Sequence, residues 1–152
     1  MKIRTINIII ILLLAGFFSS SSVKAQNEEI VIIVNNENPV TDLTISQTKL
    51  YFLKKIKLRW PENNQSIKPV DRLETPQEKQ TFYSKVLKMS SEDVEQYFIE
   101  RQISNAIKPP EKKSSDLYVV EYICANKGAI GYISKSTYDN VKSKVKAVLY
   151  VK

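Results

Sequence analysis

The run IVIIV at residues 30–34 contains five apolar residues in succession, all of them β-branched. A strand with one face in water alternates apolar and polar residues, whereas an unbroken run of this length reads as a strand covered on both faces. Such a strand needs helices above and below it, so the rest of the chain must supply two helical layers.

The sequence before the run is of another kind. Lys2 and Arg4 precede an apolar stretch from Ile6 to Phe18, followed by SSSSVKAQ with small residues at Val23 and Ala25. This is the three-part pattern of a secretory signal peptide cleaved after Ala25. The apolar stretch is too short for a bilayer span, which takes roughly 20 residues. Residues 1–25 are therefore expected to be a leader, and residues 26–152 a single periplasmic domain. Lys2, Arg4 and Lys24 leave with the leader, which brings the formal charge of +7 down to about +4. That excess is small and dispersed, unlike the basic stripe of a nucleic-acid binder.

The alternation of helix and strand signals continues through the domain. Ser46 is placed to cap a short helix over 47–53 that turns Leu50, Phe52 and Leu53 inward. Lys54, Lys55, Lys57 and Arg59 then form a basic edge, which serves either as a solvated face or for an anionic surface, with Trp60 and Pro61 packing at its end. Residues 67–70 read as a second strand. Thr75, Pro76 and Glu78 predict a helix start with a capping box, and the helix runs to about Leu87 with Phe82, Val86 and Leu87 on one stripe and Tyr83 beside them. Ser90 and Asp93 open another helix carrying Val94, Tyr97, Phe98 and Ile103, and KPPEKKSSD reads as a loop. A further helix is expected to bury Leu117, Val120, Ile123 and Cys124.

The domain holds only two glycines, both within ANKGAIGYI. Gly128 falls where a left-handed residue would close the preceding helix. Gly131 lies inside the strand AIGYI, where a glycine signals a bulge or the close approach of another group. A last strand at 145–151 completes an α/β domain with a mainly parallel sheet flanked by helices.

Residue chemistry argues against catalysis. With no histidine in the chain, the commonest general base and the commonest metal ligand are both missing. Cys124, the one cysteine, has no disulfide partner in the chain and reads as a buried, inert thiol. Glu92, Asp93 and Glu95 fit a charged helical face better than a carboxylate pair. The expectation is a non-enzymatic protein with no cofactor and no metal.

The ordered set NPV, LTISQTKLYFL, RWPENNQSIKPVDR, Phe82-Tyr83 with Val86-Leu87, and NKGAIGYI resembles the phosphate-binding-protein-like family, the periplasmic solute-binding proteins of phosphate ABC transporters. The resemblance covers about residues 35–133. It implies one lobe of a type 2 periplasmic-binding-protein fold, an oxyanion site at the cleft, and a role for Gly131 in keeping its strand slim beside that cleft. Arg72 matches the family's Arg by motif, and Thr75 and Lys79 after it complete the candidate anion-binding residues.

Two departures bear on that site. The chain is long enough for little more than one of the family's two lobes, and it lacks the family's Gly- and Ser-rich loop after the first strand. Where the family follows its Arg with a Ser-Gly-Thr turn, this chain has LETPQ. Pro76 has no amide proton to offer an anion, and Glu74 and Glu78 bring negative charge to the same place. Arg72 then has two readings: an anion ligand, or a partner for Asp71, Glu74 or Glu78. Two functions stay open: a solute-binding module that holds phosphate or another oxyanion weakly, or a protein-interaction module docking a membrane sensor, a transporter subunit or a second copy of itself.

Overall fold

The computed structural model describes residues 28–56 and 59–152. The expected leader and Lys57 lie outside them. Strand β1 (Ile30–Asn35) is buried at every position, as its unbroken apolar run predicts. It lies between β4 (Ala129–Ser134) and β5 (Val145–Val151) and is antiparallel to both. On the far side of β4 come β2 (Lys68–Arg72) and β3 (Glu111–Lys113), each pair parallel, giving the order β3-β2-β4-β1-β5. Among the described strands β2 to β5 therefore share one direction and β1 runs against them, so the sheet is mainly parallel.

Alternate residues of β1 feed two cores. Ile30, Ile32 and Val34 share a core with α1 (Ile45–Phe52), a π-helical turn (Phe82–Leu87) that continues α2 (Gln77–Thr81), and α3 (Ser91–Asn105). Val31 and Ile33 face the opposite layer, made by α4 (Asp116–Ala125) and α5 (Lys135–Val141). The two layers required by IVIIV are thus present.

Several local expectations need correction. Helix α1 begins earlier than expected, with Thr44 as the cap and Gln47 closing its capping box, so Ser46 lies inside the first turn and Leu50 is only half-buried. The Thr75–Glu78 box does not form. Pro76 itself is the extended residue before α2, and no side chain caps that helix, because Thr75 stands one position too early. Ser90 and Asp93 do form their reciprocal box at the start of α3, yet Ile103 is exposed near its end. The loop expected at 108–116 contains β3, a three-residue charged strand held by pairing with Val70, Asp71 and Arg72.

Helix α4 is rotated from the expected frame. Val119, Val120 and Ile123 face inward, while Leu117 and Cys124 are exposed. Because YVVEYIC is apolar almost all round, periodicity cannot choose the face. The anchoring of Asp116 chooses it instead.

The glycines have one cause. Neither Gly128 nor Gly131 has a positive φ, so Gly128 is not a left-handed cap. A Cβ there would lie 2.1 Å from the Ser66 carbonyl oxygen, because the backbone leading into β2 runs directly alongside that leading into β4. The Gly128 carbonyl accepts from the Lys68 amide at 3.0 Å and from the Trp60 indole at 3.1 Å. At Gly131 a Cβ would meet Val70 Cγ1 at 2.7 Å and Val119 Cγ1 at 2.8 Å. The close approach expected at Gly131 is that of β2 and α4 side chains.

Candidate functional site

The C-terminal end of β2 places two consecutive charged residues on opposite faces of the sheet. Asp71 turns toward the layer of α1 to α3. Its carboxylate accepts from Tyr83 Oη at 2.7 Å, from Tyr132 Oη at 2.5 Å and from the Arg72 amide at 2.7 Å. The π-helical turn aims Tyr83 at that carboxylate, and β4 supplies Tyr132 from the neighbouring strand. Burial, and then the negative charge of Asp71, push both phenol pKa values well above the usual tyrosine value.

Arg72 turns the other way. Its guanidinium pairs with Asp116 in the first turn of α4 and donates to the Ser114 carbonyl at 3.3 Å. Asp116 also accepts from the amide and the hydroxyl of Ser134, at 3.0 and 2.7 Å. The pair is buried, and Arg72 Nε has no partner among the described residues. Taking two charges out of water is costly unless each finds its partners, and here Asp116 finds three.

Lys79, also buried, donates from Nζ to the Arg72 carbonyl at 3.0 Å and lies 3.9 Å from Asp71. The ammonium sits over the Tyr83 ring, 5.1 Å from its centroid. Desolvation holds its pKa below the usual lysine value, partly opposed by Asp71. Above Lys79 opens a cavity of about 360 Å³, bounded by Phe52, Phe82 and Tyr83 on one side and by Val94, Phe98 and Ile99 of α3 on the other. Thr75, Glu95 and Lys112 also reach it.

Of the candidate anion ligands, Thr75 and Lys79 therefore come together at the cavity. Arg72 pairs with Asp116 on the opposite face, rather than with Asp71, Glu74 or Glu78 through its side chain. Gly131 lies beneath Val70 and Val119 in the second core. Sequence reasoning missed Asp71, Tyr83, Tyr132, Asp116 and Ser134 as a connected polar network. The dipeptide Asp71-Arg72 was the only local signal for it, since the partners come from three other elements. Among the described residues no cluster of three or more His, Cys, Asp or Glu is placed to hold a metal ion, and no helix is long and apolar enough to cross a membrane.

No protein-family model matches the sequence, and no curated protein matches it. Solved structures do. A putative phosphate ABC transporter substrate-binding protein with bound phosphate from Clostridium perfringens aligns over 80% of this chain and 44% of its own, with 26% identity and a TM-score of 0.59. An ABC-type phosphate transport receptor from Vibrio cholerae aligns over 80% and 45%, with 24% identity and a TM-score of 0.61. PstS from Borrelia burgdorferi aligns over 80% and 46%, with 14% identity and a TM-score of 0.62. The chain spans less than half the length of each. Its structural neighbours are thus phosphate ABC transporter substrate-binding proteins, and it shares the fold of a little under half of each.

Proposed function

We propose that this chain is an exported binding module of the solute-binding-protein kind, related to the phosphate-binding components of phosphate ABC transporters, which holds an oxyanion weakly at most. Its site of action is the periplasm, reached with a leader cleaved after Ala25. The fold likeness supports the module. The weak binding rests on one observation: the guanidinium assigned to the anion is held by Asp116 and Ser114. Thr75 and Lys79 would be left to contact the anion, at a turn where Pro76 lacks an amide proton and Glu74 and Glu78 repel it.

A melting scan against phosphate at fixed ionic strength tests this reading. A receptor of micromolar affinity gains about 2.7 kcal/mol at a hundredfold excess of ligand over its dissociation constant. Here the expected response is millimolar, about 4 kcal/mol of binding at most. A saturating shift at micromolar phosphate that disappears in Arg72→Ala would make the chain a working phosphate receptor. Intact mass of the exported protein tests the leader, with an N-terminus at Gln26 expected and a retained Met1 opposing it.

A second reading, a protein-interaction module with a degenerate ligand site, has its own observation. Leu73, Leu117 and Tyr118 adjoin the Arg72–Asp116 pair in sequence and are each more than half exposed. A transporter subunit, a membrane sensor or a second copy of the chain would be its partner. No catalytic step is proposed for either reading.

A further inference from the structure

The cavity over Lys79 has chemistry that an inorganic oxyanion does not use. Most of its wall is aromatic or aliphatic, and its volume lies within the range of small-molecule sites, roughly 300–1,000 Å³. One flank is built by the π-helical turn Phe82–Leu87, a rare backbone form that is frequent at functional sites. At its floor the Lys79 ammonium carries three donors, of which one reaches an acceptor among the described residues, the Arg72 carbonyl. Asp71, at 3.9 Å, lies beyond hydrogen-bond distance, and its carboxylate is already engaged by two phenols and an amide. A buried ammonium with spare donors, facing an apolar space, calls for an acceptor brought in on an apolar body.

We propose that this cavity binds a small amphipathic carboxylate, with its apolar body among Phe52, Phe82 and Phe98 and its carboxylate at the Lys79 ammonium. The charges around the mouth fit a monoanion. Lys112 adds attraction, Glu95 opposes it, and Asp71 on the floor limits the charge that the site tolerates. A phosphate dianion would lose more hydration on entering these walls and gain no contact with them. Desolvation of Lys79 strengthens a charge-assisted bond to a carboxylate. The proposal shares Lys79 with the oxyanion reading and differs from it in the ligand: the apolar walls favour a carboxylate on an apolar body over a bare inorganic anion.

Isothermal titration of the mature chain with phenylpropionate, phenylpropanol and inorganic phosphate, at one ionic strength, tests it. The acid and the alcohol share an apolar body and differ in the group offered to Lys79. Phenylpropionate is expected to bind saturably and about tenfold more tightly than the alcohol, the scale of one hydrogen bond to a charged group. Phosphate at equal concentration is expected not to displace it. Lys79→Met should erase the preference for the acid. Ile99→Trp, at a half-exposed position on the cavity wall, should weaken acid and alcohol alike without disturbing the fold, which keeps the test decisive should Lys79→Met fail to fold. Equal affinity for acid and alcohol in the parent, or unchanged binding in Ile99→Trp, overturns the proposal, and neither outcome bears on the separate phosphate melting scan.

Discussion

Arg72 and Asp116, 44 positions apart in the chain, close as a buried ion pair that ties the end of β2 to the first turn of α4. The pair ties α4 to the sheet and at the same time holds the guanidinium away from the cavity at Lys79. Asp116→Asn should therefore have two effects. It leaves a buried cation without its counter-charge, which costs about 3 kcal/mol and lowers the melting temperature by on the order of 10 °C in a domain of this size. It also frees the guanidinium, so phosphate should stabilise the variant more than it stabilises the parent. A variant that melts like the parent would show that the pair contributes little, and an unchanged phosphate response would show that releasing Arg72 is not enough to restore an anion site.

The two glycines should differ in how much substitution they bear. Gly131→Ala pushes a methyl against the side chains of Val70 and Val119, and overpacking of this kind costs about 1–3 kcal/mol. Val119→Ala in the same chain should recover part of that loss, while Gly131→Val should exceed it. At Gly128 the obstacle is the Ser66 backbone carbonyl, which has no rotamer by which to yield. Gly128→Ala should therefore be the more damaging change. Trp60, the only tryptophan in the chain, reports it directly, because its indole donates to the Gly128 carbonyl: its emission should shift to the red in Gly128→Ala. Thermal melts of the two alanine variants in the reverse order would contradict this account.

The fold could be read from the sequence where pattern and burial agree, and the site only in part, since Thr75 and Lys79 reach the cavity while the polar network around Asp71 has no local signature. IVIIV announced a strand with two covered faces because β-branched residues without a polar break leave no face for water. Ser90 and Asp93 announced the start of α3 because a capping box is a local device, complete within four residues. Residues 111–113 announced nothing. Their charged side chains carry no alternation, and the strand exists only through its ladder with β2. Helix α4 was legible as a helix but not in its orientation, which depends on Arg72 and Ser134 meeting Asp116 across the sheet. The same holds for the Asp71 network, whose two phenols arrive from separate elements.

That rotation of α4 gives Cys124 a testable property. The thiol was expected inside and is exposed instead, with Val120 and Ile123 facing the core. A thiol reagent such as dithionitrobenzoate should modify it completely in the folded protein, without denaturant and without loss of the native Trp60 emission. Protection of the thiol until the chain unfolds would return Cys124 to the interior and put α4 in the other frame.

The phenols on Asp71 make stability depend on alkaline pH, with a definite sign. Tyr83 and Tyr132 both have pKa values raised in the fold, above the 10.0 of an exposed tyrosine, by burial first and then by the charge of Asp71. Below pH 10 both states hold these protons, and the hydrogen bonds contribute in full. Above it the unfolded chain releases them while the folded chain retains them, so stability falls as pH rises, by about 1.4 kcal/mol per pH unit for each phenol. Lys79 has the opposite sign. Its depressed pKa lets stability rise until the unfolded-state value of 10.5 is passed, after which its contribution stays level. The decline should thus be clearest above pH 10.5. Tyr83→Phe should lower stability at neutral pH, since Asp71 loses a donor, by about 1–3 kcal/mol, and should flatten the alkaline decline. Denaturant melts followed by Trp60 emission from pH 9 upward, with tyrosinate absorbance recorded in parallel, separate the two effects. Full tyrosine titration with native Trp60 emission, or an alkaline slope unchanged in both Tyr83→Phe and Tyr132→Phe, would mean that these phenols do not hold their protons against solvent.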